Sequence, residues 1–385
     1  MDQEYTPLDL SMLDLSTPLP TYPADFRSGF ASLVGRPNAG KSTLTNAMVG
    51  QKVAITSNRP QTTRHTIRGI VHKDEYQLIL VDTPGIHRPR TLLGERLNDL
   101  VASTLSQVDV LGFCIPANEK IGPGDRYIAS QLVASSNKPV VAIVTKADTV
   151  SSEELREQLL AVEALGEEVM SAERAARAKR AAHRAKQKGK GPKGKDGKND
   201  AVPFAKGSGP AAKRRAGEVA EPMPVDGKGG WAAIIPVSAV KHFQVDAVAD
   251  LLAQYTPLSP PLYPEGELTD EPEATLIAEL VREAALEGAR EELPHSIAVT
   301  VEEMEFREGR PEDNPLLDVH VNLYVERESQ KYIIIGKGGS NLRKIGTKAR
   351  EQIEAMLGTR IYLNIHVKVA KEWQSDARAL NRLGF

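Results

Sequence analysis

Between residues 30 and 144, short, largely apolar runs alternate with stretches of helical period. The runs 30–34, 76–81, 108–115 and 140–144 have the length and composition of strands buried on both faces. Segments 44–49, 92–105 and 127–133 lie between them with helical spacing of their apolar residues. This alternation predicts an α/β fold, a mostly parallel sheet with helices on both faces. A further strand over 232–237 and a helix over 245–255 extend it. Beyond a proline-rich stretch at 256–264 the pattern changes. An amphipathic helix is predicted over 276–286, followed by a strand through Ile297, Val299 and Val301. Leu317, Val319, Val321, Leu323 and Val325 then alternate with polar positions, as do Ile361, Leu363, Ile365, Val367 and Val369. Each is a period-two strand with one buried face. Helices over 341–356 and 373–383 complete a smaller α+β domain.

Composition divides the chain further. Its 385 residues carry a net charge of -2, but residues 172–215 hold 15 lysines and arginines against 3 acids, a local net of +12. The helix opened by Ser151, Ser152, Glu153 and Glu154 runs past Leu165 into this basic stretch. Residues 186–198 are too rich in glycine and lysine to build a core. Two readings of the insertion stand: an electrostatic arm for RNA, or a tolerated surface loop. Residues 1–27 are acidic and proline-rich and read as a disordered tail rather than a signal peptide. Cys114, the one cysteine, lies in an apolar run and reads as a core residue. No apolar run approaches the roughly 20 residues of a membrane helix.

Gly35, Arg36, Pro37, Asn38, Ala39, Gly40, Lys41 and Ser42 match G-x-x-x-x-G-K-[ST] between a strand and a helix, with Thr43 following. Such a loop turns main-chain N–H groups toward phosphates, Lys41 adds a cation and Ser42 offers a hydroxyl to Mg²⁺. Asp82, Thr83, Pro84 and Gly85 end the strand 76–81, where Asp82 can hold Mg²⁺ through water and the Gly85 N–H can meet a γ-phosphate. Thr62 and Thr63 lie in a segment without apolar period. Thr63 can complete the Mg²⁺ shell as part of a switch, or the segment is an ordinary solvated loop.

Thr145, Lys146, Ala147 and Asp148 close the strand 140–144, and Ser238 and Ala239 follow the strand 232–237. They resemble the guanine-reading N-K-x-D and S-A elements of Ras-like GTPases. In that arrangement Asp148 accepts from the Watson–Crick edge of guanine, Lys146 lies along the base and the Ala239 N–H meets O6. Thr145 stands where asparagine is usual, so some supporting hydrogen bonds are expected to be lost. Gly336, Lys337, Gly338 and Gly339, in the stretch 333–342 between a strand and a helix of the second domain, resemble the G-x-x-G loop of KH domains, which clamps a nucleic-acid backbone. Arg343, Lys344 and Lys348 add a basic rim.

In order, G-R-P-N-A-G-K-S (35–42), P-Q-T-T-R (60–64), D-T-P-G (82–85), T-K-A-D (145–148), S-A (238–239), I-I-I-G-K-G-G (333–339), V-K-V-A-K-E-W (367–373) and the final L-G-F closely resemble the Era family. These are Ras-like GTPases with a C-terminal type II KH domain that work in small ribosomal subunit assembly. The resemblance implies a GTPase domain over 28–256 interrupted by the insertion at about 167–230, a linker at 257–271 and a KH domain over 272–385. It also implies GTP/GDP and Mg²⁺ as ligands, and Lys41, Thr63 and Gly85 acting on the γ-phosphate. The implied partner is the 3′ end of 16S ribosomal RNA in the small subunit. A monomer in the cytoplasm is implied, with peripheral association with the inner face of the cell membrane. Ile86, where Ras-like enzymes carry a water-orienting glutamine, implies slow hydrolysis. Asn38 resembles a P-loop asparagine that binds K⁺ in this branch, or it only stabilises the loop. The alternatives are an RNA-binding scaffold with negligible hydrolysis, and an ATPase with a chance KH-like tail.

Overall fold

The computed structural model describes residues 22–56, 66–84, 91–135, 138–188, 230–288, 293–311 and 313–385. Thr62, Thr63, Gly85 and Ile86 lie outside the described residues, as do most of the N-terminal tail and positions 189–229 of the insertion.

The first half folds as β1 (Arg27–Gly35), α1 (Lys41–Val49), β2 (Ile67–His72), β3 (Tyr76–Asp82), α2 (Leu92–Gln107), β4 (Val110–Pro116), α3 (Pro123–Ser135), β5 (Val140–Thr145), α4 (Ser152–Lys188), β6 (Ala233–Pro236) and α5 (Val245–Ala253). The strands form one sheet in the order β2-β3-β1-β4-β5-β6, parallel except for β2. Side-chain alternation explains the largely apolar runs. Leu111, Phe113 and Ile115 of β4 face α2, α3 and α4, while Val110 and Cys114 face α1 and α5. Both faces are thus covered, so the central strands are mostly apolar, and the buried Ser32 of β1 is accommodated by donating its hydroxyl to the Val81 carbonyl at 3.2 Å. Burial pushes the Cys114 thiol up to about 12, which makes it an inert core residue.

The edge strand β2 was not anticipated. It is short, contains Gly69 and pairs antiparallel with β3. Its outer side is covered where the Ile70 N–H donates to the Leu268 carbonyl at 2.9 Å. Ser151 and Glu154 form the expected capping box at the start of α4, each bonding the other's main-chain N–H. The helix packs through Val162, Leu165 and Val169 and then continues as a helix to Lys188. The chain returns at Gly230, whose φ of 85° is a left-handed value that glycine tolerates and where a Cβ would lie 2.5 Å from the Gly166 carbonyl oxygen.

The second half runs α6 (Glu273–Gly288), α7 (Leu293–Ser296), β7 (Ala298–Phe306), β8 (Leu316–Val325), α8 (Glu328–Ile335), α9 (Ser340–Leu357), β9 (Arg360–Val369) and α10 (Ala377–Arg382). Its sheet has the order β7-β8-β9, with β7 antiparallel and β9 parallel to β8. The alternating apolar set of β8 packs with Ile277, Leu280 and Val281 of α6 and with Ile345, Ala349 and Ile353 of α9. Residues 333–335 form the end of helix α8, an element the sequence pattern does not show. Gln330 decides this: its Oε1 accepts from the Glu326 and Arg327 N–H groups and caps the helix start. The single helix expected over 373–383 is a short 3₁₀ turn, Trp373–Ser375, followed by α10.

The two halves meet at two seams. Leu93 and Leu97 of α2 pack with Trp373, Leu380 and Leu383, and Arg96 donates to Asn381 Oδ1 at 2.7 Å. At the other seam Ile55 enters the second core. Trp373 is fully buried and its indole N–H donates to the Ser296 carbonyl at 3.0 Å. Trp373→Ala should therefore destabilise the chain by about 3–5 kcal/mol, read as a fall in the urea midpoint of the transition that exposes the α2 seam.

Candidate nucleotide and RNA sites

The phosphate loop links the carboxyl end of β1 to α1. Two of its residues, Asn38 (φ 64°) and Gly40 (φ 86°), have positive φ, which curls the loop. Lys41 is 7% exposed, and its Nζ donates back to the Gly35 and Arg36 carbonyls at 3.2 and 3.1 Å. Burial lowers the Lys41 pKa from the usual lysine value, opposed by the charge of Asp82. A desolvated ammonium enclosed by carbonyls is an anion site, since a phosphate restores the charge it is losing. Thr43 follows within α1.

The parallel register sets Leu33 of β1 opposite Asp82 of β3. Asp82 is therefore delivered, fully buried, to the loop, and Ser42 Oγ donates to its Oδ2 at 2.7 Å. A hydroxyl and a carboxylate held together beside a phosphate loop are hard oxygen donors that suit Mg²⁺. Thr83 turns inward instead, donating to the Leu33 carbonyl at 3.2 Å, and Pro84 is buried beside it.

Across the sheet, Thr145 ends β5. Its hydroxyl donates to the Ala39 carbonyl at 2.7 Å in a buried contact, so the shorter side chain still ties the base-reading turn to the phosphate loop. Lys146 has φ 57°, and the Ala147 N–H donates to the Val237 carbonyl at 3.1 Å. Ser238 Oγ donates to Asp148 Oδ1 at 2.5 Å and accepts from the Lys241 N–H at 3.1 Å. Ala239 follows Ser238 in the same turn. Lys41, Ser42, Asp82, Thr145, Asp148 and Ser238 thus converge at the carboxyl end of one parallel sheet, where ligands of such sheets bind.

Two acids escaped the sequence reading. Asp125, fully buried in the first turn of α3, accepts from Arg36 Nε at 2.7 Å and from the Gly122 N–H at 2.9 Å. Glu119 lies 3.2 Å from Arg36 Nη2 and 3.7 Å from Lys146 Nζ. One carboxylate thus links Arg36 of the phosphate loop to Lys146 of the turn after β5. Neither acid sits in a recognisable motif, so only the tertiary fold reveals them.

In the second half, Gly336, Gly338 and Gly339 all have positive φ, at 71°, 59° and 76°. The loop joins two helices, α8 and α9. A Cβ at Gly336 would lie 2.8 Å from Asn341 Cβ, whereas Gly338 and Gly339 have open space around them. Lys337, Gly338, Arg343 and Lys344 are exposed, and so are Tyr332 and Ile333 on the turn before the loop. Lys348 pairs with Glu287 of α6, which withdraws it from the basic rim.

Comparison with known proteins agrees with this geometry. Residues 30–146 match the family described as 50S ribosome-binding GTPase, and residues 292–374 match the KH domain. GTPase Era of Streptomyces coelicolor is 56% identical over 93% of this chain and 95% of its own. That of Mycobacterium avium is 54% identical, over 94% and 99%. The chain belongs to the Era family of GTPases. Two solved Era structures share the fold over 93% of this chain and 99% of theirs. An Aquifex aeolicus variant bound to GDP and aluminium fluoride is 29% identical with a TM-score of 0.72. An Era in complex with MgGDPNP and nucleotides 1506–1542 of 16S ribosomal RNA is 30% identical with a TM-score of 0.73. GTP hydrolysis is accordingly the activity, with guanine nucleotide and Mg²⁺ as the ligands. The Ser42–Asp82 pair fits the metal.

The Thr145 bridge yields a test. Thr145→Val keeps the shape but leaves the buried Ala39 carbonyl without its donor, at a cost of about 1–3 kcal/mol. GDP affinity measured by calorimetry should fall roughly 5- to 150-fold at that cost, while Thr145→Asn should restore most of it.

Proposed function

We propose that the chain is a slow GTP/GDP switch whose nucleotide state sets the access of its KH domain to the 3′ end of 16S ribosomal RNA during small-subunit assembly. The observation that carries this reading is the presence, on one chain, of the Lys41–Ser42–Asp82 phosphate site and the glycine loop Gly336–Gly339 with its exposed lysine. The boundaries that follow are a GTPase domain at 28–256, the insertion at about 167–230, a linker at 257–271 and a KH domain at 272–385.

In this reading each residue has a defined task. The amides of the phosphate loop and Lys41 hold the β- and γ-phosphates, and Ser42 and Asp82 hold Mg²⁺, which screens the phosphate charge. Thr63 and the Gly85 N–H meet the γ-phosphate. Asp148, kept in place by the Ser238 hydroxyl, selects guanine over adenine because only guanine offers two N–H groups to one carboxylate. Ile86 cannot orient water, so turnover is slow without an added positive charge. Asn38 supports K⁺ as that charge, lying exposed in the phosphate loop. Lys337 and the open glycines admit an RNA backbone, with single-stranded bases lying over neighbouring apolar surface. Among the described residues no helix is long and apolar enough to cross a membrane. We place the protein in the cytoplasm as a monomer, with contact to the inner membrane face confined to its surface.

Two experiments test the division of labour. Lys41→Ala should abolish GTP binding. The pair Lys337→Glu, Gly338→Asp should abolish binding of a 16S 3′-terminal oligoribonucleotide and leave GTP affinity within about twofold. Loss of both activities in either variant would overturn the two-site reading. Replacing K⁺ by Na⁺ in the assay should slow GTP turnover at least tenfold or so, and an unchanged rate would remove Asn38 from the cation site.

A further inference from the structure

The segment after α1 is fastened at both ends by side chains from different halves of the molecule. Asn46 of α1 holds the near end: its Oδ1 accepts from the Val53 and Ala54 N–H groups at 3.0 and 2.8 Å, and its Nδ2 donates to the Ala54 carbonyl at 2.7 Å. Glu283 of α6 holds the far end. Its Oε1 accepts from both the N–H and the hydroxyl of Thr56 at 3.2 Å, and its Oε2 from Lys52 Nζ. Between them Ile55, 2% exposed, sits in the core of the second half with Ile277, Leu280 and Val281, not in the core of the first.

Glu283 is only 3% exposed. A buried carboxylate is retained where several donors meet it, and here Lys52 and Thr56 both come from the other half of the chain, more than 200 positions away. Its position is specific. Lys41 opens α1, α1 carries Asn46, Asn46 and Glu283 bracket residues 53–56, and α6 packs on α9, the helix that starts at the glycine loop. In sequence, Thr56 lies six positions before Thr62 and seven before Thr63. The other seam is chiefly apolar packing of α2 plus the bonds of Arg96, and does not connect α1 to α9.

We infer that Glu283 is a positioning residue that couples the nucleotide site to the RNA loop. It acts by fixing the Thr56 main chain to the helix that supports the KH loop. This rests on the proposed reading that nucleotide state controls RNA binding. Coupling is a ratio of affinities and is reciprocal, so Glu283 can set that ratio while touching neither ligand. Glu283→Gln keeps the size but removes the charge that holds Lys52 and the Thr56 donors.

The experiment uses the full chain and an oligoribonucleotide spanning nucleotides 1506–1542 of 16S ribosomal RNA, the segment bound by the related Era. Its affinity is measured with GDPNP–Mg²⁺ and with GDP–Mg²⁺. The unaltered chain should show a ratio between the two states in the range of roughly 5- to 150-fold. A ratio of one there would sink the underlying switch reading, separately from the role of Glu283. In Glu283→Gln the ratio should fall to within about twofold of one, with GDP affinity and RNA affinity in the GDP state retained. The double variant Lys52→Met, Thr56→Val removes the donors from the other side without altering α6 and should give the same collapse. A full ratio in the double variant overturns the inference whether or not Glu283→Gln folds. So does loss of nucleotide and RNA binding together in a folded Glu283→Gln protein, which would mark a purely architectural role.

Discussion

The parallel pairing of β1 with β3 is the constraint from which the nucleotide site follows. It puts Leu33 level with Asp82, so the strand that ends in the phosphate loop and the strand that ends in the acid finish side by side. The helix after the loop then brings Ser42 within 2.7 Å of that acid. An antiparallel arrangement would send the two strand ends to opposite edges of the sheet. The pairing of β1 with β4 and of β4 with β5 repeats the logic on the other side and delivers Thr145 to the Ala39 carbonyl.

Around this frame the charges are shared. Arg36 and Lys146 belong to the phosphate loop and the base-reading turn, yet both lie against Glu119. Asp125 adds a buried anchor for Arg36. Partly exposed pairs of this kind contribute little to overall stability. Their value lies in orientation, because they hold two cations in place around one nucleotide cleft. Thr145 shows the same economy: a hydroxyl in place of an amide still reaches across to the loop.

Much of this was legible in sequence because the central strands are buried on both faces and so are mostly apolar. The glycine loops were legible because positive φ at Gly40, Gly336, Gly338 and Gly339 demands glycine. β2 was not, since a strand pairing on one edge needs no apolar run, and Gly69 and Arg68 break the pattern. Helix α8 was not legible either, since the β-branched run Ile333–Ile335 carries no helical period and the Gln330 cap that starts the helix acts through its side chain. Glu119, Asp125 and Glu283 belong to no motif. Arg36 reaches Asp125, and Lys52 and Thr56 reach Glu283, from remote parts of the chain, while Glu119 lies in a turn, where an acid normally faces water.

One consequence of α4 concerns distance. Its packed face ends near Met170, and the helix continues for 18 residues to Lys188. At 1.5 Å per residue this is a strut of about 27 Å. Residues 172–188 contain 7 arginines and lysines and a single acid. A coil of that length would spread its charge over a broad range of separations. The helical backbone instead gives this stretch of chain a set reach from the sheet, as a spoke has from its hub.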